Sequence, residues 1–314
     1  MAVLDTIADR QAEWSVTANG LKSVIDRARW SVFVFSVLGA LLAALASQLG
    51  APAGGTGGSL AGGTGGTPAA GTGGFTFDLR TCFAMTGAAS LVIATFFTQR
   101  LLGQEHVTGW VRARAISEAL KREAYKFAAG AAPYDQANSE PLLDAERQKI
   151  EADGDDLLGS LATNPGRGSV PRSKLTPQQY VEKRVDKEIE YYKDHAERYR
   201  KWATRLRQAE FGLALAATLI TAIASVTGNH IFGFVFDIAA LTAVLTTVAG
   251  AVLAHVEASR FDFLVTTYLA TARRLEDRKG GPREPPSTFV NDCETIISTE
   301  NMSWIAKWTK PGKV

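Results

Sequence analysis

The chain has 314 residues, 46% of them hydrophobic and 21% charged, with 34 Lys and Arg against 32 Asp and Glu. That length admits two or three ordinary domains, and a net charge of +2 leaves no electrostatic footprint for nucleic acid, which is not expected as a partner. Two cysteines, Cys82 and Cys293, cannot frame a disulfide scaffold or a structural zinc site, and no cofactor is implied.

The averages hide a segregation. Residues 30–49, 81–98, 211–226 and 238–254 contain no Asp, Glu, Lys or Arg. Each run is close to the ~17–20 apolar residues a helix needs to cross a hydrocarbon core at about 1.5 Å per residue. Taken in order, residues 4–29 read as a helix running into the first span, with Leu4, Ile7, Ala8, Gln11 and Ala12 near one face. Ala44-Leu45-Ala46 resembles a signal cleavage site, but the long preceding segment carries Asp5, Asp9, Glu13 and Asp26. A secretory signal starts short and basic, so the first span is expected to be retained.

Residues 51–74 are almost wholly Gly, Thr, Ala, Ser and Pro without charge, which predicts a flexible outer loop. After the second span, residues 104–129 read as a helix with Trp110, Arg114, Glu118 and Arg122 on one stripe. Residues 131–176 concentrate Pro and Gly and read as a linker. Its acidic cluster Asp153, Asp155, Asp156 lacks the further oxygen ligands of a calcium loop and reads as solvated charge. Thr176-Pro177 predicts a capped helix start. From there to Phe211 nothing breaks the helix, and Tyr180, Val185, Ile189, Tyr192, Ala196, Tyr199 and Ala203 form a narrow seam suited to packing against another helix. The fourth span continues into residues 257–278. Gly280-Gly281-Pro282 stops it, and Ser287 or Thr288 caps a last helix bearing Phe289, Cys293, Ile297, Trp304 and Trp308.

The two halves echo each other. Arg27-Ala28-Arg29 with Ala44-Leu45-Ala46-Ser47 corresponds to Arg205-Leu206-Arg207 with Ala222-Ile223-Ala224-Ser225 at a single shift of 178 residues. Phe75-Thr76-Phe77-Asp78-Leu79 corresponds to Phe234-Val235-Phe236-Asp237-Ile238 at a shift of 159, so the first copy holds 19 extra residues, coinciding with the Gly/Thr stretch. The expected architecture is an all-α integral membrane protein of four transmembrane helices as two tandem hairpins. Its parts are 1–130, a linker 131–176, and 177–314. Lys22, Arg27, Arg29, Arg100, Arg112, Arg114, Arg205, Arg207, Arg260, Arg273 and Arg274 all fall on one side of the expected bilayer. The positive-inside rule places both termini and the middle region in the cytoplasm.

Motifs for catalysis are absent. His106, His195, His230 and His255 show no HExxH spacing, and neither a Walker A pattern nor a nucleophile context occurs, so no enzyme is expected. The polar residues of the spans say more. Thr242, Thr246 and Gly250 follow Asp237 along one stripe of the fourth span, and Thr86 and Ser90 lie on the second. Such hydroxyls either tighten helix packing or line a pore. Asp78 and Asp237 either cap a span or ring a cation-selective mouth. Four spans are too few to enclose a wide aqueous path, so a pore requires several copies, with Tyr192, Tyr199, Trp304 and Trp308 as candidate collar contacts.

Several of these residues match a known pattern. Tyr180…Arg184-Val185…Glu190-Tyr191-Tyr192…Ala196 before a two-span hairpin, then Tyr268-Leu269…Ala272-Arg273-Arg274-Leu275…Cys293-Glu294-Thr295-Ile296-Ile297…Glu300-Asn301…Trp304, resembles the SLATT superfamily of two-transmembrane effector domains. Trp110…Arg114-Ala115-Ile116-Ser117-Glu118-Ala119-Leu120-Lys121 resembles the sister type often fused ahead of it. The resemblance implies a bacterial inner-membrane protein that forms homo-oligomeric pores in conflict systems, triggered through a cytoplasmic sensor protein. The alternative is a non-conducting anchor or scaffold whose cytoplasmic helices recruit a partner.

Overall fold

A computed structural model of the chain describes residues 2–50, 78–163, 166, 168, 170–227, 230–231, 234–235 and 238–308. Nine α-helices are present among these residues: α1 Ala2–Gly50, α2 Leu79–Leu101, α3 Gln104–Ala129, α4 Glu140–Ala152, α5 Pro177–Tyr180, α6 Asp186–Thr227, α7 Ile238–Ser259, α8 Phe261–Gly280 and α9 Pro286–Trp308. A π-helical turn, Val181–Val185, joins α5 to α6. The pair β1 His230–Ile231 and β2 Phe234–Val235 makes a two-residue antiparallel ladder, with His230 opposite Val235. The fold is otherwise all helical, with four helices long and apolar enough to cross a membrane.

Contacts divide the chain into two units. One, here the polar unit, comprises Met1–Arg29, Thr98–Ala203 and Arg260–Val314; the other, the span unit, comprises Trp30–Phe97 and Thr204–Ser259. Each unit thus draws on both halves of the sequence.

In the polar unit, α3 packs on α4 and α9, and α9 on α8. The first part of α1 contributes Leu4, Ile7, Ala8, Trp14, Ala18 and Ile25, all buried and spaced as one helix face. The seam on α5 and α6 is buried at Tyr180, Val185, Ile189, Tyr192, Ala196 and Ala203, so its partner helices lie within the same chain. Local chemistry sets the element ends. Thr176 Oγ1 accepts from the Gln179 amide at 3.2 Å while Gln179 Oε1 accepts from the Thr176 amide at 3.1 Å, a reciprocal cap with Pro177 behind it. Gly130 ends α3 at φ 66°, and Ala131 N–H reaches back to the Lys126 carbonyl at 2.9 Å.

Two expectations need correction, and the linker holds more than expected. The linker holds a helix that its Pro and Gly content does not announce: α4 lies within it and buries Leu143 and Ile150, because its apolar side meets α3. Its acidic residues Asp153, Asp155 and Asp156 are exposed, and both Asp156 carboxylate oxygens accept from Arg112 at 2.6 and 2.8 Å, while the Asp153 carbonyl also accepts from that guanidinium. The last span does not run unbroken into the next helix, since Arg260 takes the left-handed conformation at φ 51° and separates α7 from α8. The last helix begins at Pro286, and the Ser287 hydroxyl accepts from the Ala132 amide rather than from its own helix.

In the span unit, α1 and α2 cross where both carry glycine. A Cβ on Gly39 would stand 2.9 Å from Leu91 and 3.1 Å from the Gly87 carbonyl; one on Gly87 would stand 3.2 Å from the Gly39 carbonyl. Backbones approach this closely in lipid only where side chains are absent or small. Phe35 and Phe97 stack at 6.1 Å, and His255 of α7 meets Trp30 and Phe33 of α1 at 6.2 and 5.4 Å.

Candidate functional site

Asp78 is exposed, and its Oδ1 accepts from the Thr81 amide at 2.7 Å while its carbonyl accepts from Cys82 at 3.1 Å. It therefore caps α2, satisfying backbone donors that lipid cannot. Its counterpart Asp237 lies outside the described residues, as does the Gly/Thr loop. Thr86 Oγ1 donates to the Cys82 carbonyl at 2.8 Å and Ser90 Oγ to that of Thr86 at 2.8 Å. Thr246 Oγ1 donates to the carbonyls of Thr242 and Ala243, each at 3.0 Å. Only Thr242 reaches another helix, its hydroxyl lying 3.3 Å from that of Thr221 on α6. Thr86, Ser90 and Thr246 are thus satisfied within their own helices, as hydroxyls in membrane helices commonly are. Ser90 is buried, whereas Thr86, Thr246 and Gly250 are exposed. In each span no more than 22% of the most apolar window is buried within the chain.

The aromatic residues assigned to a collar are placed differently from that expectation. Tyr192, Trp304 and Trp308 are 2%, 4% and 6% exposed, and Tyr199 is half-buried. Their rings are already packed inside one polar unit: Trp110 meets Trp304 and Trp308 at 5.5 Å each, and Tyr192 meets Tyr268 at 5.3 Å. The guanidinium groups of Arg29 and Arg260 lie 4.9 and 4.7 Å from the Trp308 ring centre. Tyr192, Trp304 and Trp308 are thus covered within the single chain, while Tyr199 remains partly exposed.

Beside this aromatic core sits a buried charge cluster that joins the two halves of the sequence. Arg184, on the π-helical turn, donates from Nε and Nη2 to the two oxygens of Glu294 on α9 at 2.9 and 2.8 Å. Its Nη1 donates to Glu188 Oε1 at 2.6 Å, and Lys121 of α3 donates to the same oxygen at 2.6 Å. Tyr180 adds its hydroxyl to Glu294 at 2.9 Å, and the Arg184 guanidinium lies 4.8 Å from the Tyr125 ring centre. The wider π turn puts Tyr180 and Arg184 on one side, both aimed at Glu294; such turns recur where a helix must place side chains out of α register. Burial pushes the neighbouring Cys293 thiol up to about 12, so it is held as an unreactive thiol.

A reading of sequence alone assigned none of these charged residues a role. Arg184, Glu294, Glu300 and Lys121 were visible only as members of the resemblance pattern, and Arg114 there, on a helix stripe and among the inner-side basic residues. Residues 180–304 match the model of the family described as SMODS and SLOG-associating 2TM effector domain 1. Residues 12–141 match a second model, described as Protein of unknown function (DUF4231). No curated protein and no solved structure matches the chain. The cluster ties α3, from the second matched segment, to α6 and α9, from the first. Over residues 180–304 this all-α membrane protein is therefore similar to that two-transmembrane family.

Proposed function

We propose that the chain is a bacterial inner-membrane effector that assembles with copies of itself to form an ion-conducting path, with α7 or α2 facing that path. The observation that carries this reading is the exposed polar stripe of α7, where Thr246 and Gly250 are left uncovered by the chain's other spans. Gly250 has open space where a Cβ would stand. A membrane helix that leaves such a stripe uncovered serves a partner helix or water better than lipid. The exposed carboxylate of Asp78 at the start of α2 fits the mouth of a cation path.

The test is ion flux from liposomes loaded with purified protein, read alongside the mass of the detergent-solubilised particle. Flux that changes in rate or ion preference with Thr246→Val or Asp237→Asn supports the proposal. A folded oligomer that passes no ions overturns the conducting role, and a monomer overturns the assembly. The second reading, a non-conducting anchor whose polar unit recruits a partner, is favoured by the locally satisfied hydroxyls, which require no water in a pore. It predicts that Asp237→Asn alters stability alone.

A further inference from the structure

A cleft of about 300 Å³ opens in the polar unit between α1, α3, α6 and α9. Trp110 and Tyr192, each 2% exposed, supply apolar wall, and Arg114 and Glu300 lie along it. The cations lining the cleft do not stand alike. Lys121 is bonded to Glu188 at 2.6 Å and near Glu118 at 4.0 Å; Lys22 has Asp26 at 3.8 Å, and Lys187 has Glu190 at 3.8 Å. Arg114 has no carboxylate within 4 Å among the described residues, and its buried Nε has no hydrogen-bond partner. Its guanidinium rests over the Trp304 ring at 4.7 Å.

Glu300 is the complementary anomaly. Its side chain is 2% exposed and its Oε1 is buried without a hydrogen-bond partner. A half-buried guanidinium whose Nε donor is unmet and a buried carboxyl with an unmet oxygen share this cleft without a hydrogen bond between them, and each is costly unless a third group completes it. The guanidinium keeps its charge, drawn to Glu300 and Glu118 without bonding either, so the group that completes its unmet Nε donor is an acceptor, and an oxyanion matches the charge. Its Nε–H and neighbouring Nη–H form the parallel pair of donors that two oxygens of one group accept. Burial pushes the Glu300 carboxyl up to about 7 against the attraction of Arg114, so near neutrality it can hold a proton and donate to the same oxyanion.

We propose that this cleft binds a small oxyanion, a carboxylate or phosphate group, held by Arg114 and Glu300. The site is independent of ion conduction and belongs wholly to the polar unit. Its volume limits the ligand to a small molecule or a single such group.

The experiment follows thermal unfolding and tryptophan emission of the full chain in a maltoside micelle, which carries no phosphate of its own. Sodium chloride is exchanged for sodium phosphate or sodium acetate at constant ionic strength. A saturable rise in unfolding temperature with either oxyanion, absent with chloride, supports the site, and the active salt identifies the group. Arg114→Gln should abolish the response, and Arg114→Lys, which keeps the charge but loses the fork, should weaken affinity about tenfold or more. Arg112→Gln, in a different cleft, should leave it intact. If Arg114→Gln does not fold, Arg114→Lys carries the comparison. No saturation with either salt up to about 10 mM overturns the proposal, as does an unchanged response in the Arg114 variants.

Discussion

Arg184 and Glu294 stand 110 residues apart in sequence and form a two-bonded ion pair in which each side chain is only 1% exposed. Taking both charges out of water is offset by the second carboxylate at Glu188, the Tyr180 hydroxyl and the ring of Tyr125. Removing one partner leaves the other charged and dry. Glu294→Ala should therefore cost about 3–5 kcal/mol, read as a lowered unfolding temperature in detergent. Arg184→Met with Glu294→Leu removes both charges and should cost less than Glu294→Ala alone. Equal or greater loss in the double variant would show that the pair itself is net stabilising.

Glu300 gives the polar unit a pH dependence of definite sign. Its carboxyl faces Arg114 and Glu118 from α3 and Glu188 from α6, with Tyr192 and Trp304 nearby, and burial outweighs the attraction of Arg114. The folded value of about 7 lies above the ordinary 4.5, so the folded chain keeps a proton that the unfolded chain has released. Stability from this group is present below the lower value, falls as pH rises between the two, and is gone above about 7. Glu300→Gln cannot ionise, so it should flatten this slope and exceed the parent by about 2–3 kcal/mol near pH 8. Parallel pH profiles for the two proteins would refute the assignment.

Gly154 tests the packing of α4 and the adjoining turn. A Cβ there would lie 2.5 Å from both Ile116 Cδ1 and Trp14 Cη2. Ile116 can rotate away, but Trp14 is fully buried and its Nε1 is bonded to Glu151 at 3.1 Å. Gly154→Ala should cost about 1–3 kcal/mol, and adding Ile116→Val should recover only part of it, as measured by thermal unfolding. Full recovery would mean that Ile116 rather than Trp14 sets the limit.

Much of this fold is legible along the chain because its strongest signals are local. Four charge-free runs mark the spans, Thr176 with Pro177 marks a helix start, and residues 104–129 match α3 at both ends. What was hidden depends on where a face goes. The aromatic stripe of Tyr192 and the tryptophans of α9 announce a partner by their periodicity, yet periodicity does not say whether that partner is the same chain or another. Here it is α3 and α8 of the same polar unit. Helix α4 was obscured because only Leu143 and Ile150 anchor it amid charge and Pro, too few for a periodic signal. The unpaired state of Arg114 is a property of its neighbours, and so no reading of its own segment could give it.

Gly39 and Gly87 offer the most direct test inside the span unit. Each glycine faces the other's carbonyl, and the Ala43 amide lies 3.3 Å from where a Gly87 Cβ would stand. The obstacles at Gly87 are largely backbone, so nothing can rotate aside and the helices themselves must separate. Gly87→Ala should be tolerated with a small loss, since 3.2–3.3 Å contacts need only a few tenths of an ångström of movement. Gly87→Leu should force α1 from α2 and expose the buried Ala46, Ser90 and Ala94 to detergent. A cysteine pair placed on the facing sides of α1 and α2 should crosslink readily in the parent and in Gly87→Ala, and poorly in Gly87→Leu. Undiminished crosslinking in Gly87→Leu would show that the two helices do not meet at this point.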